Sequence, residues 1–232
     1  MNQPVRPLTE LPLQAVLFDL DGTLLDTAAD LHQALNQMRQ ADGLPPLPYD
    51  QVRAQVSNGA SALIELGYGV PVEAATHAAL RQRLLDTYAQ CVAQEASYFA
   101  GMETLLQALE EAQISWGIVT NKPRYFTERL LHALNIKSAV TVCPEDIDAR
   151  KPDPAPLWFA CRQLAIEPQY CVYVGDHQRD IEAGRRAGMR TLVAAYGYLG
   201  PQDLPHQWQA DHIVHSVPAL HAWLRERLPD AL

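Results

Sequence analysis

Asp19 and Asp21, in the stretch Asp19-Leu20-Asp21-Gly22-Thr23, are the first residues whose type and spacing could do chemistry. They close the apolar run Ala15-Val16-Leu17-Phe18. On an extended chain residues i and i+2 face the same way, which would put both carboxylates on one side. An aspartate is ionised near neutral pH, its ordinary pKa being about 3.9. Asp19 can therefore attack phosphorus with no base to activate it, giving an aspartyl-phosphate intermediate. Asp21 is spaced to protonate a leaving alkoxide and then to activate water. The plain alternative is a strand end followed by an Asp-Gly turn, and the pentapeptide alone does not separate the two.

Three later segments carry related chemistry. Asp176 and Asp180, in Gly175-Asp176-His177-Gln178-Arg179-Asp180, follow the run Cys171-Val172-Tyr173-Val174 and would suit Mg2+, a hard cation that takes oxygen ligands. Equally, Asp176 could cap the next helix and Asp180 lie solvated upon it. Thr120 and Asn121 end another apolar run, where a hydroxyl and backbone N–H groups could hold phosphoryl oxygens, or simply form a turn. Lys151 precedes Pro152, which biases it to an extended loop rather than a helix. Its ammonium is a compact charge for a phosphate or for screening two carboxylates. Of three lysines in the chain, Lys122, Lys137 and Lys151, two lie in these segments.

These residues need a scaffold that gathers them. Short apolar runs at 14–19, 114–120, 139–143, 171–175 and 191–195 alternate with helical stripes. One stripe is Met102, Leu105, Leu106 and Leu109, another Phe126, Leu130, Leu131 and Leu134, with shorter ones following at Leu157 and Ile181. Strands alternating with such helices predict right-handed crossovers and a parallel sheet, an α/β fold of Rossmann-like type. Residues 28–96 break the alternation. There Leu31, Leu35 and Met38 form one helical stripe and Leu80, Leu84, Tyr88 and Val92 another, with a proline-rich loop at 43–48 between them. The expected organisation is an α/β core of residues 1–27 and 97–232 with a small helical cap of residues 28–96. Ligands of open α/β sheets bind outside the carboxyl ends of the strands, where Asp19, Thr120 and Asp176 all fall. A nucleophile, a proton donor, a cation site, a phosphate clamp and a lysine on one edge point to phosphoryl transfer, which needs mainly positioning and charge neutralisation.

Composition narrows the partners. With 27 acids against 18 bases the formal charge is −9, which argues against nucleic acid and against a membrane surface. A small anionic metabolite must then be drawn in by a metal or a few placed cations. Cys91, Cys143, Cys161 and Cys171 form no C-x-x-C pair, as expected of reduced thiols in a cytoplasmic protein. Residues 1–12 have no apolar signal core, and no apolar run approaches the roughly 20 residues of a membrane span. His206, His212, His215 and His221 show no converging ligand spacing and read as surface residues.

Taken in order, Asp19-x-Asp21-Gly22-Thr23, Val119-Thr120-Asn121, Lys151-Pro152 and Gly175-Asp176-x-x-x-Asp180 resemble the four signatures of the haloacid dehalogenase-like hydrolase superfamily. The likeness covers nearly the whole chain, and the helical insertion resembles that of the members with a small α-helical cap. It implies that Asp19 is the nucleophile and Asp21 the acid/base. It also implies that Mg2+ is held by the Asp19 carboxylate, the Asp21 carbonyl and Asp176, with Asp180 in support, and that Thr120, the Asn121 backbone and Lys151 clamp the phosphoryl group. The segments 116–123, Cys143-Pro144-Glu145, 151–154 and Ala195-Tyr196-Gly197-Tyr198 look like the branch of bacterial phosphoglycolate and N-acetylmuramic acid 6-phosphate phosphatases, and Trp116-Gly117, Cys143-Pro144-Glu145 and Trp208-x-Ala210-Asp211 lean to the latter. His177 beside the metal-site aspartate departs from the usual smaller or acidic residue. The turn Val56-Ser57-Asn58-Gly59-Ala60 resembles a loop that such caps lower over the site, with Gly59 allowing close approach and Asn58 bonding a substrate oxygen. Both substrates carry a carboxylate, and of the four cap arginines, Arg39, Arg53, Arg81 and Arg83, Arg53 lies nearest the turn and is expected to bind it. The competing readings are a phosphomutase of the β-phosphoglucomutase type, a phospho-receiver domain and a catalytically silent binding module. A monomer and a homodimer are both compatible with the sequence.

Overall fold

The computed structural model describes residues 12–227. All but the last residue of the 1–12 stretch, read above as lacking a signal core, lies outside the described residues, as do the extreme ends of the expected core. Strand β1 (Ala15–Phe18) is fully buried. Val16 and Phe18 join one apolar cluster, Ala15 and Leu17 another, so both faces of the strand are covered. That is why its sequence is an unbroken apolar run rather than an alternating one. The strand stops before Asp19. Residues 20–25 then make a tight loop, with the Leu24 and Leu25 N–H groups donating to the Leu20 carbonyl at 3.1 and 2.9 Å.

From this loop the chain leaves the sheet through β2 (Leu25–Asp26) and returns through β3 (Ser97–Tyr98), which pair antiparallel. Between them lie α1 (Ala28–Ala41), α2 (Tyr49–Arg53), α3 (Ala60–Tyr68) and α4 (His77–Cys91). The two stripes read from the sequence correspond to α1, where Leu31, Leu35 and Met38 are buried, and α4, where Leu84 and Tyr88 are. Helices α2 and α3 went unread because five and nine residues carry little periodicity. Asp30, buried in the first turn of α1, accepts from the Ala93 and Glu95 N–H groups at 2.8 Å each, tying the end of the insertion to its start.

Beyond β3 come α5 (Met102–Glu111), β4 (Ser115–Val119), α6 (Arg124–Ala133), β5 (Val140–Val142), α7 (Ala155–Leu164), β6 (Cys171–Gly175), α8 (Gln178–Ala187), β7 (Arg190–Ala194), β8 (His212–Val214) and α9 (Val217–Arg225). The sheet order is β5-β4-β1-β6-β7-β8, every pairing parallel. The fold is therefore α/β with a parallel Rossmann-like sheet. Strand β8 was not anticipated, since three residues at the sheet's edge, one exposed and one half-buried, give too short an apolar signal. The chain passes from β1 to β4 and β5 on one side, then crosses to β6 on the other. β1 therefore sits at the switch of direction, where such sheets open a crevice. The four cysteines are buried and form no disulfide. No helix among the described residues is long and apolar enough to cross a membrane.

Candidate active site

Register brings the chemistry together. Phe18 pairs with Ile118 on one side and Val174 on the other, so the residues just past those pairs, Asp19, Thr120 and Asp176, emerge from neighbouring strands. The Asp19 N–H donates to the Val174 carbonyl at 2.9 Å, which holds the first carboxylate beside β6. Gly22, at φ +80°, lets the following loop fold back. A Cβ there would stand 2.1 Å from Asp176 Oδ2 and 2.8 Å from the Tyr198 ring, so only glycine fits.

Lys151 is the hub. Its Nζ lies 2.8 Å from both Asp19 Oδ1 and Asp180 Oδ1, and donates to the Val119 carbonyl and the Tyr173 hydroxyl at 2.9 and 2.7 Å. The residue is 3 % exposed and Asp180 not at all. Burial alone would lower the lysine's pKa, but Asp180 and Asp19 more than offset it and the value ends above the ordinary one, so the ammonium persists. The Asn121 side chain holds Lys151 in place, donating to its carbonyl and accepting from its N–H at 3.0 Å each. Thr120, 5 % exposed, is fixed by its N–H to the Val142 carbonyl while its hydroxyl accepts from the Lys122 N–H at 3.1 Å. Asp21 faces a second lysine, with Lys122 Nζ 2.8 Å from its Oδ1 and the Thr27 hydroxyl donating to the same oxygen.

Asp176 differs from its neighbours. It is 1 % exposed and meets only neutral donors, the Ser57 hydroxyl at 2.7 Å, the Tyr198 N–H at 2.9 Å and the Thr23 hydroxyl at 3.5 Å. Burial, then the charges of Asp19 and Asp180, push its carboxyl up to about 8. Asp19 is pushed up to about 6, by burial first, with Lys151 opposing. Carboxylate oxygens of Asp19, Asp176 and Asp180 all lie within 4.8 Å of one another. Lys151 pairs with Asp19 and Asp180 and leaves Asp176 without a cation, and an all-oxygen donor set of three clustered carboxyls suits a small hard cation such as Mg2+. The Asp21 carboxylate stands outside this trio.

Two structural alternatives are corrected. The N-cap of α8 is His177, not Asp176. The His177 ring accepts from the Arg179 N–H at 3.1 Å while the Asp180 carboxylate accepts from the His177 N–H at 3.1 Å. Asp180 is accordingly buried rather than solvated on the helix. His177 stacks on Trp208 at 6.4 Å, and burial pushes its pKa down to about 4, so the ring is neutral.

The insertion closes the crevice into a cavity of about 290 Å³, lined by Asp19, Asp21, Thr120 and Lys151 on one side and by Ser57, Asn58 and Gly59 on the other. Asn58 is exposed and donates to Gln55, and its Oδ1 lies 3.0 Å from His177 Nε2. Gly59 takes φ +85° and precedes α3. Arg53 is the misplaced expectation. Its guanidinium donates to the carbonyls of Gly197 and Tyr196 at 2.9 and 3.1 Å and lies over the Tyr198 ring, so it is held against the loop after β7 and does not line the cavity. Sequence position put it near the turn, but the side chain takes the nearest unpaired carbonyls instead. Ser57, Tyr173 and Lys122 were not singled out as site residues. Lys122, as a lysine within the 120–123 segment, and Ser57, within the 56–60 turn, carried a readable signal, and Tyr173 did not.

A model of the family described as Haloacid dehalogenase-like hydrolase matches residues 16–194. The chain is 44 % identical over 209 residues to an N-acetylmuramic acid 6-phosphate phosphatase of Pseudomonas aeruginosa, covering 89 % of this chain and 92 % of that one. It is 41 % identical over 209 residues to a phosphoglycolate phosphatase of Xanthomonas campestris pv. campestris, covering 89 % and 94 %. A crystal structure described as a predicted phosphoglycolate phosphatase from Haemophilus somnus superimposes with a TM-score of 0.79 at 23 % identity, over 91 % of this chain and 98 % of that one.

Proposed function

The chain belongs to the haloacid dehalogenase-like hydrolase family and is a phosphoric monoester hydrolase, and we propose that Asp19 is its nucleophile, acting on a sugar phosphate such as N-acetylmuramic acid 6-phosphate. The observation that carries the reading is the meeting of Asp19, Lys151, Asp176 and Asp180 at the carboxyl edge of β1 and β6. Residues 28–96 act as a cap over that edge.

Lys151 Nζ and the Leu20 N–H both engage Asp19 Oδ1, which leaves Oδ2 to attack phosphorus. As the new O–P bond forms, the ester P–O bond breaks and Asp21 gives the departing alkoxide its proton. In the second half Asp21 takes a proton from water, the water oxygen attacks phosphorus, and the Asp19–phosphorus bond breaks to release phosphate. Lys122 and Thr27 fix the Asp21 carboxylate for both proton transfers. The Thr120 hydroxyl and the Asn121 N–H face phosphoryl oxygens, while the Asn121 side chain positions Lys151 rather than touching substrate. Asp19 and Asp176, with Asp180 behind them and the Asp21 carbonyl beside, would hold Mg2+, which supplies charge neutralisation to the phosphoryl oxygens. Burial of Asp176 without a cation supports that assignment.

The test is phosphate release from N-acetylmuramic acid 6-phosphate, 2-phosphoglycolate and common sugar phosphates, with Asp19→Asn as the blank. Magnesium-dependent release that vanishes in the variant is expected. Equal release by the variant would sink the reading.

A further inference from the structure

We infer that Arg81, on the cavity-facing side of α4, is the specificity residue that binds a substrate carboxylate set a sugar ring's width from the phosphoester. This rests on the phosphatase reading and names the substrate feature that the cap selects.

The argument begins with elimination among the four arginines of residues 28–96. Arg39 donates to the carbonyls of Pro45 and Gly67, Arg53 to those of Tyr196 and Gly197, and Arg83 pairs with Asp42. Each is committed to a protein acceptor. Arg81 alone among them lines the cavity, and no hydrogen bond or ion pair engages it. In a chain with nine more acids than bases, a half-buried arginine without a carboxylate partner is unusual. Its five donors form a planar fork that matches a carboxylate in two parallel bonds, and desolvating it without a partner is unfavourable.

Position sets the kind of carboxylate. Arg81, Leu85 and Tyr88 follow i, i+4, i+7 spacing and share one face of α4, and all three line the cavity. Tyr88 marks the reacting end, for Lys122 lies 4.9 Å from its ring centroid and pairs in turn with Asp21. Seven residues of helix put Arg81 about 10 Å along the axis from Tyr88. A carboxylate one methylene from the phosphoester oxygen, as in 2-phosphoglycolate, would stay near the Tyr88 end. One carried across a pyranose ring would reach the Arg81 end, with Leu85 and Phe126 giving apolar walls to the ring between.

Other cations on the cavity are less suited. Lys122 and Lys151 are paired with carboxylates, and Arg179 is engaged with the His177 ring. Arg150 is exposed on the core loop.

The experiment compares KM and kcat for N-acetylmuramic acid 6-phosphate, for N-acetylglucosamine 6-phosphate, which has the same ring and phosphate without the carboxylate, and for 2-phosphoglycolate. Wild type, Arg81→Met, Arg81→Lys and Arg150→Met are used as full chains, with Arg83→Met as the control from the same helix. Arg81→Met should raise KM for the muramic ester at least about tenfold more than for the glucosamine ester, the weight of one charge-assisted bidentate contact, and leave kcat little changed. Arg81→Lys should recover part of the loss, having the charge but not the fork. Arg83→Met should match wild type. An equal rise for both sugar phosphates, a rise confined to 2-phosphoglycolate, or selective loss in Arg150→Met instead would each overturn the proposal. A wild type without preference for the carboxylated ester also overturns it while leaving the phosphatase reading intact. A wild type that releases phosphate from none of the esters overturns both.

Discussion

The two walls of the cavity are built on opposite principles. On the sheet side each lysine already has its carboxylates. Lys151 holds Asp19 and Asp180, Lys122 holds Asp21, and Asn121 clips Lys151 into register. On the insertion side the cavity is faced by the turn residues Ser57, Asn58 and Gly59 and by helix-borne side chains that are largely apolar, among which the Arg81 guanidinium has no protein partner. The first wall is organised before any ligand arrives, as a site for charge development must be if it is to avoid reorganisation during the reaction. The second leaves its hydrogen-bonding capacity for the ligand to complete. The proposed reaction chemistry and the proposed substrate contact thus lie on different elements of the fold.

If that division is right, substitutions on the sheet wall should affect every substrate alike. The largest effect is expected from Asp19→Asn, which removes the proposed nucleophile and a charge, with a fall in kcat of at least about 10³-fold on all esters. Trapping of phosphate on the variant, read by mass spectrometry, would contradict the role.

Lys151→Met comes next. It leaves Asp19 and Asp180 buried without their shared cation, so the fold should lose about 3–5 kcal/mol of stability as well as activity. An unchanged denaturation midpoint would mean that the hub contributes no net stability.

The sheet wall should also couple protons to metal. The folded pKa of Asp176, about 8, lies above its ordinary value of 3.8, so in the metal-free protein the folded state binds the extra proton. The stability it contributes is complete below about pH 4 and is lost as pH rises through 8. Mg2+ competes for the same oxygens, so its stabilising shift in Tm should grow from pH 5 to pH 8, with proton release on binding. A shift independent of pH would place the cation elsewhere.

The smallest effect is expected from Arg53→Ala. It removes two charge-assisted bonds to carbonyls and the contact with Tyr198, about 1–3 kcal/mol, and loosens the seam between the insertion and the sheet. KM should rise to the same degree for the carboxylated ester and for the one without a carboxylate. A rise specific to the carboxylated one would restore Arg53 to the role inferred for Arg81 and erase the contrast between the walls.

Much of this was legible in the chain itself. Strand β1 announced its burial on both faces through Ala15–Phe18, and the carboxylates at 19 and 176 fell at strand ends, with those at 21 and 180 a few residues beyond, because parallel crossovers deliver every strand's carboxyl end to one edge. The stripes of α1 and α4 were readable because fourteen and fifteen residues give several turns of period. By contrast α2, α3 and β8 were too short for periodicity to register, and β2 and β3 exist only through their pairing with each other.

Side-chain partnership was decided at the tertiary level alone. Nothing in the order of residues says that Asn121 reaches Lys151, that Lys122 turns to Asp21, that His177 caps α8, or that Arg53 is held by carbonyls more than 140 positions away while Arg81 stays unpaired. Local sequence fixes which strands and long helices form, because periodicity and turn chemistry act over a few residues. Hydrogen bonds and ion pairs fall off within a few ångströms, so their partners are settled only once distant segments have packed.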